Sequence, residues 1–219
     1  MKQYNGEKAI ISLTSWKARI NTVSKTLYSL IQQCPGFHIV LVLSEDEFPQ
    51  KEKELPESLM LFVENNLIEI LWVDKNYKSF KKVLFTMDKY RDVPVISADD
   101  DCIYTCNYAE SLYNAWLENK DMIFYCSKGE GSGWGMIWPP NCFGHKIFTY
   151  VNKLYKISNN DDLLYIMMSE KLGIKRKCLN IKSMYCHDTI SPINIGKLYQ
   201  ENKDYRNLER KIYNQILNS

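Results

Sequence analysis

An apolar run that stops at three consecutive carboxylates constrains this chain more than any other feature. Val93-Pro94-Val95-Ile96-Ser97-Ala98 leads into Asp99-Asp100-Asp101, and hydrophobicity resumes at Cys102-Ile103-Tyr104. The run has the length and character of a short buried strand. Three adjacent like charges repel, and partial burial at a strand end raises that cost. A positive partner is therefore expected, and hard oxygen ligands favour Mg²⁺ or Mn²⁺. Ligands of open α/β sheets collect in the crevice outside the carboxyl ends of the strands. A strand followed by three aspartates thus describes a metal site facing a phosphorylated ligand. A solvated acidic turn is the alternative, but it has no need of apolar segments on both sides.

Size and charge narrow the field. A chain of 219 residues suits one domain, able to bury roughly 70–75% of its unfolded surface. A net charge of +2 gives nucleic-acid binding no electrostatic support. No apolar run approaches the ~20 residues of a membrane span, and the first residues lack the apolar core of a signal peptide. Seven cysteines, an odd number without a CxxC pair, suggest reduced thiols in a cytoplasmic protein.

Strands and helices alternate along the first half. Lys8 to Thr14 reads as a strand, followed by Ser15, Arg19 and a helical pattern from Thr22 to Gln33 that ends at Pro35-Gly36. Phe37 to Leu43 is a second buried strand, with His38 at its start as a structural residue. A helix from Pro56 to Asn66, a strand from Ile68 to Val73 closed by Asp74, and a helix opening at Lys78 come next. The absence of hairpin turns argues for an α/β sheet, mostly parallel, flanked by helices. Thr14, Ser15, Arg19, Asp74, Lys81 and Lys82 then fall near the strand ends that carry the acidic triplet. Individually, Thr14 and Ser15 read equally as turn residues, and a lysine pair as solvated helix surface.

This half resembles the nucleotide-binding half of a GT-A-fold glycosyltransferase, on Ile10 to Ser15, Arg19, Lys81-Lys82 and Ile96 to Asp101. Asp99-Asp100-Asp101 fits the DxD motif of that family, whose carboxylates hold a divalent ion on the diphosphate of a sugar nucleotide. The resemblance implies Asp101 as a direct metal ligand, Asp99 as a ribose or metal contact, and Asp100 as the middle position. It also implies nucleotide contacts from Thr14, Ser15, Arg19, Asp74 and Lys81. Residues 1–106 would form the nucleotide-binding lobe and 107–219 the acceptor-binding lobe of a single domain.

The second half resembles small bacterial enzymes of the inverting, family 2-like kind. A helix from Tyr108 to Asn119 and a strand from Met122 to Cys126 precede Gly129-Glu130-Gly131-Ser132-Gly133-Trp134-Gly135-Met136-Ile137-Trp138. Alternate glycines permit close backbone approach, and Trp134 and Trp138 offer flat faces on which a sugar can stack beside Gly135. A loop followed by a core strand with buried tryptophans is the competing reading. After a helix from Lys146 to Lys156, Ser158-Asn159-Asn160-Asp161-Asp162 opens another, with Ser158 or Asn159 as its expected cap. Two aspartates exceed what capping requires. By resemblance, Asp162 is the base that deprotonates the acceptor, with Asp161 as its neighbour or substitute. His187 is the expected histidine ligand of the cation site, the alternative being an ordinary surface or core histidine.

The resemblance implies a polysaccharide-building hexosyltransferase that uses Mn²⁺ or Mg²⁺. Its donor would be a nucleotide-sugar, UDP-linked by analogy, and its acceptor a glycan or a lipid-linked glycan. Such a protein works in the cytoplasm, and peripheral contact with the inner face of the membrane stays open. Two other classes remain: a sugar-nucleotide nucleotidyltransferase, disfavoured because Thr14 to Arg19 lacks glycine, and a catalytically inactive carbohydrate-binding protein.

Overall fold

The computed structural model describes residues 7–126, 135–182, 184–186 and 203–219. Its centre is a seven-stranded sheet in the order β3-β2-β1-β4-β7-β6-β8. These strands are β1 (Ala9–Thr14), β2 (Phe37–Ser44), β3 (Glu69–Val73), β4 (Val95–Ser97), β6 (Ile123–Tyr125), β7 (Met136–Trp138) and β8 (Arg176–Cys178). A separate two-stranded antiparallel ribbon pairs β5 (Cys102–Tyr104) with β9 (Met184–Cys186).

β1 is buried along its length apart from half-buried Thr14. A parallel strand covered on both faces reads as a continuous apolar run, because neither side meets water. Its register with β2 pairs Ala9 with Phe37 and Thr14 with Val42, and its register with β4 pairs Ser12 with Ser97. The parallel strands therefore finish along one edge of the sheet. From β1 the chain crosses to β2 and β3 on one side, then returns to place β4 on the other. The ends of β1 and β4 thus flank the point where strand order reverses, the crevice in which such sheets hold ligands.

The sheet is mostly parallel, as the alternation of elements implies, with one reversed strand. β7 runs antiparallel to both β4 and β6. Its reversal lets Ser97 Oγ accept hydrogen bonds from Met136 N and Trp138 Nε1 at 3.2 and 3.3 Å.

Helices α1 (Val23–Ile31), α2 (Glu57–Glu64), α3 (Lys81–Lys89), α4 (Tyr108–Glu118), α5 (Ile147–Leu154), α6 (Asp161–Lys171) and α7 (Lys203–Leu217) surround the sheets. α1 buries Val23, Thr26, Leu27 and Leu30, the spacing of a helix with one inward face. α3 instead buries both lysines of its first turn, Lys81 and Lys82. Ser12, in the middle of β1, fixes that turn by donating to the Lys82 carbonyl and bonding Thr86 Oγ1 at 2.6 Å.

Candidate active site

The acidic triplet leaves β4 at the crevice, and each of its carboxylates meets a partner from another element. Ser15 Oγ donates to Asp100 Oδ2 at 2.7 Å, and Arg19 Nη1 lies 2.7 Å from Asp100 Oδ1 and 2.9 Å from Asp101 Oδ2. Thr26 Oγ1, on the buried face of α1, donates to the Asp100 carbonyl at 3.0 Å. The turn after β1 and the first turns of α1 thus hold the triplet in place.

Asp99 is tied through Lys82 to the start of α6. Lys82 Nζ sits 2.8 Å from Asp99 Oδ1 and 3.4 Å from Asp161 Oδ2. The Lys82 side chain is only 6% exposed. Burial alone would lower its pKa, but Asp161, Asp99 and Asp162 together hold it well above the ordinary lysine value. Lys82 is therefore a fixed positive charge between the end of β4 and the start of α6.

Burial pushes Asp99 up to about 6, against the pull of Lys82, so Asp99 is mostly ionised at neutral pH. Its backbone N–H donates to Tyr104 Oη at 2.7 Å. Tyr108 Oη donates to the Ser97 carbonyl beneath it. Burial raises both phenols well above their usual range, leaving them protonated and fixed as hydrogen-bonding struts.

Asp161 and Asp162 form the first turn of α6. The cap is Asn160, one or two residues beyond the Ser158 or Asn159 expected from the sequence: its Oδ1 accepts from Leu163 N at 3.1 Å. The cap bond is thereby supplied by Asn160 and by neither aspartate. Asp161 is 6% exposed and turned to Lys82, while Asp162 is half-buried.

The donor set suits a hard dication. One oxygen each of Asp99 and Asp101 lies within 4.8 Å of the other and of Cys102 Sγ. Asp99, Asp100, Asp101, Asp161 and Asp162 outnumber the two cations Arg19 and Lys82 that act on them. A divalent ion would offset part of that negative excess, and carboxylate oxygens are ligands that Mg²⁺ and Mn²⁺ prefer. Cys102, 1% exposed, brings soft sulfur that suits neither ion and is better read as core.

Other expectations need correction. Trp138 is completely buried, packed against Phe143 and Tyr165, so its faces are closed to a sugar. Gly135 adopts φ +98°, and a Cβ there would lie 2.4 Å from the Tyr108 ring. Its missing side chain makes room for Tyr108 and not for a ligand. Lys81, 1% exposed, donates its hydrogen bonds to Glu47 Oε2 and Asn76 Oδ1, each at 3.1 Å, while its charge also acts on Asp100. Two further expectations are not overturned: Thr14 Oγ1 donates to the Val42 carbonyl at 2.7 Å, and Asp74 lies exposed just after β3. Trp134 and His187 lie outside the described residues. Sequence reasoning placed both Lys81 and Lys82 near the triplet but chose Lys81 for the site; it is Lys82 that reaches the aspartates.

No family model matches the sequence, and no curated protein matches it. Solved structures do share its fold. Residues 1–349 of Staphylococcus aureus TarS, solved with UDP-GlcNAc, superpose with a TM-score of 0.58 at 11% identity, over 84% of this chain and 59% of that one. The glycosyltransferase GlyE of Streptococcus pneumoniae gives 0.50 at 13% identity, over 80% of this chain and 46% of that one. The chain therefore spans about half the length of the structures it resembles, and at these identities the likeness establishes the fold.

Proposed function

We propose that this chain is a metal-dependent, inverting glycosyltransferase that moves a sugar from a UDP-sugar to a glycan or lipid-linked acceptor. The observation that carries this reading is the acidic cluster at the switch point, in which Lys82 ties the aspartates of β4 to those opening α6. Two chain-distant carboxylate pairs meeting at that edge are what donor activation and acceptor deprotonation require together. TarS, which shares the fold, has been solved with UDP-GlcNAc, and this supports the choice of donor.

Asp99 and Asp101 would hold the cation, with His187 completing the set. The bound cation would offset the negative charge that develops on the departing diphosphate. Arg19 fixes two of the carboxylates, and Lys82 keeps the two halves of the cluster in register. Asp162 accepts the proton of the acceptor hydroxyl as its oxygen bonds to the anomeric carbon, and the carbon–phosphate-oxygen bond breaks with its electron pair leaving on UDP. Attack from the face opposite the nucleotide inverts the anomeric centre. General-base help of this kind contributes ~10²–10⁴-fold.

Thermal unfolding with UDP-GlcNAc and Mn²⁺ tests the reading. Ligand at 100 times its Kd adds about 2.7 kcal/mol, which for a chain of this size is a rise of about 5–10 °C. The rise should vanish with EDTA. Asp162→Asn should keep the shift and lose ~10²-fold or more of UDP release. Survival of full turnover in both Asp162→Asn and Asp161→Asn would remove the base from the mechanism.

A further inference from the structure

The loop that launches α6 is held from the last helix of the chain. Glu209 and Tyr213 on α7 are 5% and 0% exposed, and both face residues 158–160. Glu209 Oε1 accepts from Ser158 Oγ, and Glu209 Oε2 accepts from Asn160 Nδ2 at 3.0 Å. Tyr213 Oη lies 2.9 Å from both Ser158 Oγ and the Asn160 carbonyl. Ser158 Oγ also accepts from Asn160 N at 3.0 Å.

This network does more than bury polar atoms. The Asn160 amide has two ends, and Glu209 can only accept. Binding the NH₂ end at Glu209 forces the oxygen end toward Leu163 N, where it caps α6. The same loop is also held by the 3-10 turn Lys78–Phe80 that leads into α3, where Ser79 Oγ donates to the Asn159 carbonyl and Lys78 Nζ reaches the Ser158 carbonyl at 3.5 Å. Tyr165 Oη, one turn into α6, donates to the Phe80 carbonyl at 3.0 Å. The acidic turn is therefore clamped both from α7 and from the turn that leads into the helix carrying Lys82.

We infer that Glu209 and Tyr213 are positioning residues, which set Asp161 and Asp162 against Lys82 from the far end of the chain. The inference rests on the proposed role of those aspartates, and its mechanical half stands on geometry alone. A displacement of about 1 Å at a reacting group can cost ~10²-fold in rate, so a clamp of this kind belongs to the chemistry without touching substrate.

Two measurements on the full chain test it, using Tyr213→Phe and Glu209→Gln. Leu217→Ala is the comparison, because Leu217 is buried on the same helix and takes part in none of the hydrogen bonds from Glu209 and Tyr213 to the loop. Amide exchange over residues 161–164 should quicken by ~10-fold in the first two variants and by much less in Leu217→Ala at matched loss of Tm. UDP release from UDP-GlcNAc should fall ~10-fold or more in kcat, with UDP affinity in Mn²⁺ unchanged. Exchange at α6 that moves no more than in Leu217→Ala overturns the clamp. Quickened exchange with undiminished kcat overturns its functional half. A wild-type protein that binds no UDP would refute the proposed function instead, while the exchange data would still decide the clamp.

Discussion

Lys82 occupies a place where lysine is rarely found, in the first turn of a helix and almost wholly buried. A positive charge at a helix start opposes the helix dipole, and burial adds a desolvation cost. Only the surrounding carboxylates make the arrangement stable. Removing one partner of a buried pair typically costs about 3–5 kcal/mol, because the other charge is stranded. Lys82→Met should therefore lower unfolding stability by about that amount, read by urea denaturation, and adding Asp161→Asn should restore part of it. Equal stability of Lys82→Met and wild type would show that the ammonium is not the tie described. The sequence offered Lys81 and Lys82 side by side, but adjacent residues point about 100° apart around a helix. Which of the two reached the acids depended on how Ser12 seats the helix on the sheet. Trp138 was illegible for a similar reason: a tryptophan after glycines reads equally as a platform or as core. Trp138→Ala should cost about 3–5 kcal/mol, as for other buried aromatics.

At the scale of elements, existence and order were legible, and fine registration was not. The strands from Ala9, Phe37, Glu69 and Val95, and the helix opening with the aspartate pair, follow from apolar periodicity and capping residues. The cap itself moved to Asn160 because its partner, Glu209, lies 49 residues downstream. No local pattern carries that information. Asn160→Ala should destabilise the protein by about 1–2 kcal/mol, since the loss includes a cap and leaves Glu209 short of a donor. Another tie joins β3 to its neighbours. Burial would raise Glu69, but hydrogen bonds from His38, Lys89 and Tyr90 outweigh it and hold the carboxyl at about 2. Its ordinary value is 4.5, so the unfolded chain binds the proton more readily. The stability from Glu69 is complete above pH 4.5 and disappears as pH falls toward 2. Glu69→Gln should accordingly flatten the fall in Tm over that window; an unchanged profile would show that this network contributes no pH-dependent stability.

Across the whole molecule, the sheet order is what turns sequence motifs into a site. The motif after β1 and the motif after β4 are separated by about eighty residues, yet the crossing of β4 past β1 makes them neighbours. An alternating α/β pattern implies such a crevice, which is why the acidic triplet could be assigned to it before any coordinates. Among the described residues the reversed strand of the large sheet is β7, and its direction could not be foreseen because the glycine-rich sequence before it carries no periodicity. Among the described residues no helix is long and apolar enough to cross a membrane.

Calorimetric titration of UDP in the presence of Mn²⁺, into wild type and Asp101→Asn, bears most directly on the central claim. Asp101 is 34% exposed and paired with Arg19, so its amide variant should stay folded by circular dichroism. Wild type should bind UDP only with the metal present, and Asp101→Asn should lose that metal-dependent affinity. Equal metal-dependent affinity in the two proteins would contradict it.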